Sequence, residues 1–460
     1  MMPQTKKTSQ VAVIGAGFAG LTTAYRLYEQ GYDHIDIYEA RGRVGGRVFS
    51  VHLTGPEGDS IAELGGQNIP DGGEALALRT LAKEMNLSLL EDEVELTPNF
   101  YDHITNKLVD LRHLQQESFP PSDKTALRTK IQNLAAHSNN MEEVLLSLFP
   151  QKGILYRSLV FKFVGYEGGY PVQLSSDAWE NLYYMLCGGI AAVHGTNKIK
   201  RATLKGGNAQ LALALAKKLE GHVHLSCPLK AMKLSKDNRI LLIFKGGERR
   251  ECDKVALTLP CSVYKDIEID PQLIPPKELS FIHKVSYGNS TKILLPVNDS
   301  PLLHTDEMAA FGNSDNHVCN LYFSGDAGRM LKNNMKEVYS RALLAITAAN
   351  PSLVYPLGIP QVVNDNSQLE TYKGPVTHFW TNDPYAQGSY SYRAANIMPE
   401  LNHLENYKGE KSRSSYTPIH DRVFFAGEHT AIDADFGTME GAIESGERAA
   451  RMILASDQNL

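Results

Sequence analysis

The sequence reads as an α/β protein in which a doubly wound, Rossmann-like dinucleotide-binding domain carries an inserted α+β substrate domain. Three observations support this. The chain opens with an apolar run (residues 10–14), a glycine turn, helical spacing (18–30) and a second strand (34–39). A sheet-like stretch returns over 207–259. The last forty residues repeat strand, glycine turn and helix. The opening unit takes about thirty residues, the size of one βαβ half.

Each element has a local reason. Residues 10–14 form a short run that is apolar from Val11 on, as suits a parallel strand buried on both faces. Ala19, Leu21, Ala24 and Leu27 recur at helical spacing, and Gly31 stands where a C-cap belongs. Residues 80–201 read as mostly helical, broken at Phe119-Pro120-Pro121 and at the glycines of 165–169. A helix over 207–219 and strands at 222–225, 239–244 and 254–259 follow. A strand at 422–426 leads to a helix from about Thr438 to Leu454, with Met439, Ala442, Ile443, Ala449, Ala450, Ile453 and Leu454 on one stripe. The expected division is 8–85, 202–285 and 395–456 for the dinucleotide-binding domain, and 86–201 with 286–394 for the substrate domain.

Composition narrows the class. A chain of 460 residues exceeds what one core usually serves. With 42% hydrophobic and 21% charged residues it is ordinary for a globular protein, and a net charge of −6 is too mild to imply a nucleic-acid partner. The five cysteines form no CxxC pair, and no histidine cluster joins them at ligand spacing, so neither a metal site nor a disulfide framework is expected. The apolar stretch 11–19 is short and interrupted by glycine, and no apolar tail precedes Leu460, so no membrane span and a cytoplasmic location are expected. The oligomeric state is left open.

Gly15-Ala16-Gly17-Phe18-Ala19-Gly20 is a GxGxxG motif. Gly15 permits the tight turn, Gly17 lets a pyrophosphate approach the backbone, and Gly20 lets helix pack on strand. Glu39, nineteen residues beyond Gly20, ends the next strand, where a carboxylate accepts from both ribose hydroxyls and repels a 2′-phosphate. Glu39-Ala40-Arg41-Gly42-Arg43-Val44-Gly45-Gly46-Arg47 then sets three arginines and a glycine pair beside the expected diphosphate.

This last segment resembles the E-A-x-x-R-x-G-G-R signature of the flavin-containing amine oxidase superfamily. Four more stretches are similar to that family: Glu63-Leu64-Gly65-Gly66-Gln67-Asn68, Lys205-Gly206-Gly207, Tyr287-Gly288-Asn289-Ser290-Thr291-Lys292, and Phe425-Ala426-Gly427-Glu428-His429-Thr430 with Gly437-Thr438-Met439-Glu440-Gly441-Ala442. The resemblance implies FAD. It places Glu39 on the ribose, Arg41 and Arg47 on the diphosphate side, Leu229 at the adenine, and Gly65, Gly66, Gln67 and Asn68 beside the flavin ring. Glu428 would bond the ribityl or phosphate region, and Arg43 would be a structural ion-pair partner. The helix starting at Thr438 and Met439 would aim its N–H groups at the flavin N1–C2=O, where a helix N-terminus stabilises negative charge. Lys292 resembles the lysine that holds a water at flavin N5.

On the substrate side, the stretch from Thr377 to Tyr392 is similar to the family's W…DP…GxY pattern, with Trp380 and Tyr390 as its aromatic members. Tyr390 falls where one wall of an amine-flanking cage stands; packing of Tyr390 and Tyr392 on a strand is the even-handed alternative. Thr438 replaces the opposing tyrosine of monoamine oxidases, and Ser389 replaces their flavin-attaching cysteine, so non-covalent FAD is expected. Asn68 stands where L-amino acid oxidases carry an arginine for the substrate carboxylate, which favours an amine without one, unless Arg393 substitutes. The acidic run Glu91-Asp92-Glu93-Val94-Glu95 reads as a solvated loop. The implied reaction is oxidation of an amine C–N bond to an imine and then a carbonyl, with molecular oxygen reduced to hydrogen peroxide. The alternatives are an L-amino acid oxidase, a desaturase or protoporphyrinogen-type oxidase, and a non-catalytic FAD-binding scaffold.

Overall fold

Strand Val11–Ile14, buried along its whole length, is the middle of a five-stranded sheet. Ile35–Tyr38 and then Val223–His224 lie on one side of it, Lys254–Leu257 and then Val423–Phe425 on the other. Every neighbouring pair is parallel. Strands from three distant parts of the chain therefore share one sheet. Parallel strands need helices on their faces, and Phe18–Glu29, Ala209–Lys218 and Met439–Ser456 supply apolar stripes packed into the same core. The first and last of these helices cross closely: a Cβ on Gly446 would fall 2.5 Å from the Ala19 carbonyl oxygen. The structure is a computed structural model and describes residues 9–70, 75–95, 99–118, 124–187, 198–313 and 315–457.

A second sheet of eight strands runs in the order Gln361–Val362, Val376–His378, Thr291–Pro296, Val318–Phe323, Met308–Gly312, Leu303–His304, Asn99–Asp102, Lys107–Asp110. Alternation along Thr291–Pro296 divides its side chains between two faces. Ile293 and Leu295 pack against helix Gly325–Ala349 through Leu331, Val338 and Ile346. Leu294 joins Phe49, Val51 and Trp380 on the other face, which Lys292 shares. Fully burying such a leucine or isoleucine contributes roughly 1.5–3 kcal/mol.

Two expectations are corrected. The span 80–201 is not mostly helical from its start: strands Leu89–Glu95, Asn99–Asp102 and Lys107–Asp110 precede its main helices, and Lys198–Leu204 closes it. The acidic run is no loop. It forms Leu89–Glu95, paired antiparallel with the basic strand Lys198–Leu204 so that Asp92 faces Arg201 and Glu93 faces Lys200. Asp92 and Arg201 are ion-paired at 2.7 Å, and opposite charges directly across a ladder favour the pairing. The expected break at Phe119-Pro120-Pro121 lies outside the described residues.

Candidate active site

Both glycine turns open onto one elongated cavity of about 420 Å³. Gly15, Gly17, Phe18 and Ala19 at the N-terminus of helix Phe18–Glu29 line it, as do Gly437, Thr438 and Met439 at that of Met439–Ser456. Two helix N-termini thus direct positive ends into one space. Gly15 has φ +108°, and a Cβ on Gly20 would lie 1.9 Å from the Gly15 carbonyl oxygen, so both positions exclude side chains. At Gly17 a Cβ would meet nothing within 4 Å, which leaves open space over the turn. Thr438 caps the second helix, its Oγ1 accepting from the Gly441 N–H at 3.0 Å.

Glu39 ends its strand buried beside the first turn. Its Oε2 accepts from the Ala16 N–H at 2.8 Å and its Oε1 from the Arg41 N–H at 2.9 Å. Leu229, with Cys227 and Pro228, lines the same end of the cavity. Arg41 lines it too, but its guanidinium is committed: Nε lies 2.6 Å from Asp365 and Nη2 2.5 Å from Asp383. Arg43 pairs with Asp365 and lies over the Phe49 ring. Asp365, His378 and Asp383 come within 4.8 Å of one another, a grouping that sequence spacing does not reveal. Two arginines already neutralise it.

Arg47 donates to Glu428 at 2.8 Å and to the Ser389 carbonyl at 2.9 Å. Glu428 also accepts from the N–H and hydroxyl of Ser391. Burial pushes the Glu428 carboxyl up, and Arg47, His429 and Ser391 more than offset this, leaving it below its usual value. Glu428, Arg47 and Ser389 all line the cavity.

The loop from Glu63 to Asn68 forms one wall. Lys292 lies on an interior strand, between Val318–Phe323 and Val376–His378, and is 7% exposed. Its Nζ donates to the carbonyls of Glu63 (3.0 Å) and Gly65 (2.8 Å) and to Gln67 Oε1 (3.0 Å). Trp380 Nε1 donates to the Leu64 carbonyl at 2.9 Å, and Asn208 Nδ2 to those of Gly66 and Gln67. Five successive carbonyls are thereby tied down by three side chains, and Gly65, Gly66, Gln67 and Asn68 all border the cavity. Burial lowers the Lys292 ammonium to about 8 against the pull of Glu63. The Glu63 carboxyl is raised by burial, opposed by the Asn208 N–H, Ser50 and Lys292.

Beyond Lys292 the cavity is bordered by Tyr166, Phe311, Tyr322, Trp380 and Tyr390. Tyr390 is locked in place: its hydroxyl donates to the Gly165 carbonyl at 2.6 Å, and Cβ atoms on Gly168 or Gly437 would strike its ring. Tyr392 is buried on the strand pair with Ser286–Tyr287 and does not border the cavity. Arg393 is exposed and also stays off the cavity.

All the residues expected to bind cofactor except Gly20 line this one space, with Lys292, Trp380 and Tyr390; Gly20 acts from behind, at the helix–strand contact. Sequence reading missed Asn208, Thr258, Asp365 and Asp383. Thr258, whose Oγ1 donates to the Ile14 carbonyl at 2.9 Å, borders the first glycine turn. The Asp383-Pro384 dipeptide within the W…DP stretch was the available signal for one of them.

Among the described residues no helix is long and apolar enough to cross a membrane. Comparison of the whole chain gives relatives of low identity and wide coverage. It is 24% identical to L-amino-acid oxidase of Mus musculus, over 98% of this chain and 71% of that protein. It is likewise 24% identical to amine oxidase (flavin-containing) A of Sus scrofa, over 96% and 84%. Among solved structures it is similar to cyclohexylamine oxidase from Brevibacterium oxydans, with TM-score 0.71 and 19% identity over 99% of this chain and 100% of that one. It is also similar to a putrescine oxidase bound to putrescine, with TM-score 0.71 and 18% identity over 98% and 100%. The family model for flavin containing amine oxidoreductases matches residues 18–454, and the chain belongs to that family.

Proposed function

We propose that this enzyme oxidises the C–N bond of a small-molecule amine lacking a carboxylate, yielding an imine that hydrolyses to a carbonyl compound, with oxygen reduced to hydrogen peroxide. FAD, when bound, would supply the redox chemistry, as acceptor of the two electrons released when the C–N bond is oxidised. The fit of FAD rests on the open space above Gly17, the two helix N-termini on one cavity, and the buried Glu39 carboxylate between them and Leu229. Glu39 would hold the ribose, the N-terminus at Gly17 and Phe18 the diphosphate, and Thr438 and Met439 the flavin's electron-rich edge. Arg47 supports this region through Glu428 and Ser389. Ser389 offers no thiol, in keeping with non-covalent attachment. In this reading residues 8–85, 202–285 and 395–456 form the FAD-binding domain, and 86–201 with 286–394 the substrate domain.

The observation that carries the substrate class is the lining beyond Lys292. It is aromatic, and both arginines that border the cavity anywhere, Arg41 and Arg47, are paired with carboxylates. A substrate carboxylate would find no free guanidinium there. Lys292 disfavours a second cation beside it, so the amine would react in its neutral form. Anaerobic mixing with a panel of amines and amino acids tests this. Bleaching of the flavin by amines and not by amino acids is expected. Bleaching by amino acids alone points to the L-amino acid oxidase reading, and a colourless protein that cannot be loaded with FAD ends the proposal.

A further inference from the structure

One register row crosses the eight-stranded sheet. Lys292 faces Tyr322, Tyr322 faces Ala309, and Ala309 faces His304. Residues directly opposite in a ladder share a face, so all four project toward the same side. At the usual strand spacing, three steps separate Lys292 from His304 by about 14 Å. Lys292 and Tyr322 border the cavity; Ala309 and His304 do not. Against His304 stands Tyr166, whose hydroxyl is 2.7 Å from His304 Nε2 and which itself borders the cavity.

Tyr166 reaches there because of a local irregularity. Helix Ile154–Lys162 runs into a π-helical turn, Phe163–Glu167, ended by Gly168 at φ +83°. Such turns re-aim side chains and cluster at functional sites. The Gly165 carbonyl accepts from both Tyr322 (2.9 Å) and Tyr390 (2.6 Å), so three tyrosines converge on this turn. Of these Tyr166 keeps the most open surface, being 50% exposed. Burial, with Lys162 nearby, lowers the His304 imidazole to about 3, so the ring that meets the Tyr166 hydroxyl is neutral.

We propose that Tyr166, held by His304, determines substrate length by closing the cavity beyond Lys292, so that the amine oxidised carries one ring or a short chain as its apolar body. The inference rests on the amine-oxidation reading and deepens it. Neither side chain takes part in bond breaking; Tyr166 is a wall and His304 its holder.

The test uses the FAD-loaded wild type with Tyr166→Ala, Tyr166→Phe and Tyr166→Trp, and n-butylamine and n-octylamine as probes. Binding is read by rapid anaerobic mixing, as perturbation of the flavin absorption, and turnover as kcat/KM. Removing the wall in Tyr166→Ala is expected to raise the octylamine-to-butylamine ratio by about tenfold or more in both readouts, the scale at which apolar pockets discriminate methylenes. Tyr166→Phe keeps the ring and loses its hold, so its ratio lies between the two. Tyr166→Trp adds volume and shifts preference further toward butylamine, which keeps the inference testable should the alanine variant fail to fold. Ratios that stay constant across folded, FAD-loaded variants overturn it. Length-dependent spectral shifts without turnover in the wild type overturn the amine-oxidation reading and leave the wall standing. No spectral response to either amine overturns both.

Discussion

The Lys292 ammonium nitrogen lies 2.8 Å from the carbonyl oxygen of Gly65, in the loop that borders the cavity between the two helix N-termini. All three ammonium protons are engaged, by two backbone carbonyls and Gln67. The side chain is therefore a clamp on the loop before it is anything else. A water beside the flavin would be held by Lys292 only where Gln67 yields its place. Lys292→Met is expected to retain FAD, because the residues proposed to hold the ribose and diphosphate lie elsewhere, and to slow the oxygen half-reaction at least about tenfold. Stopped-flow reoxidation checks this; wild-type oxygen kinetics in the variant would remove Lys292 from the reaction.

The same lysine makes stability depend on pH. Burial lowers Lys292 to about 8 from an ordinary value of 10.5. Between these values the unfolded chain binds more protons than the folded one, so stability rises with pH across the window. Below pH 8 the full cost of a buried ammonium is present. Thermal unfolding of wild type against Lys292→Met should show the variant gaining relative to wild type as pH falls from 10 to 8. A difference flat over that range would show that the ammonium carries no such cost.

How far the residues alone foretold this site follows from what each signal encodes. The glycine turn and Glu39 were legible because φ +108° at Gly15 and the 1.9 Å approach at Gly20 admit no other residue type, and the spacing to Glu39 spans one βαβ unit. The opening strand was legible as a buried parallel one because Val11 to Ile14 are all apolar. Asn208, by contrast, clamps Gly66 and Gln67 from 141 residues away in sequence, and no periodicity marks such a contact. Asp365 and Asp383 likewise reach Arg41 and Arg43 from more than 320 residues away in sequence. The acidic run misled because its partner strand is basic: read singly it looks solvated, and only the pairing of Asp92 with Arg201 makes it a strand. Tyr166 was hidden because a π-helical turn breaks the spacing that places side chains on a helix face.

Asp383 ties Arg41, two residues beyond Glu39, to His378 on the sheet carrying Lys292. Burial pushes its carboxyl up, and His378, Arg41 and the Tyr385 N–H together hold it well below the usual range. Such a carboxylate stabilises fully above its unfolded value of 3.8, and the contribution fades as pH falls below that. Asp383→Asn leaves the buried Arg41 with Asp365, which Arg43 also claims, and is expected to cost about 1–3 kcal/mol at pH 7. Urea unfolding should show this gap narrowing in acid; a gap independent of pH would mean that lost packing, not charge, sets the cost.

Attachment of the flavin has a direct check. Ser389 Oγ accepts from the Ser290 N–H at 3.2 Å, and as a hydroxyl it lacks the nucleophilicity of a thiolate. Acid precipitation of the yellow protein is expected to leave its flavin in the supernatant. Flavin that stays with the pellet and survives proteolysis on a peptide would contradict non-covalent binding.

Gly17 and Gly20 separate cofactor binding from folding within one turn. A Cβ on Gly20 would strike the Gly15 carbonyl at 1.9 Å and Thr258 Oγ1 at 2.7 Å, both part of the strand–helix contact that exists without ligand. Gly20→Ala is therefore expected to destabilise the apoprotein itself, by about 2 kcal/mol or more given the overpacking. A Cβ on Gly17 would meet no protein atom within 4 Å. Gly17→Ala should unfold at nearly the same urea concentration as wild-type apoprotein, since the new methyl enters empty space and Gly17 precedes the helix rather than interrupting it. That space is the one assigned to the diphosphate, so FAD affinity should fall by at least about tenfold, roughly the 1.4 kcal/mol of one displaced close contact. Flavin fluorescence titration of the apoproteins reads the affinity and urea unfolding reads the stability. If Gly17→Ala binds FAD as the wild type does, the diphosphate does not lie over this turn, and the cofactor must enter the cavity in another orientation.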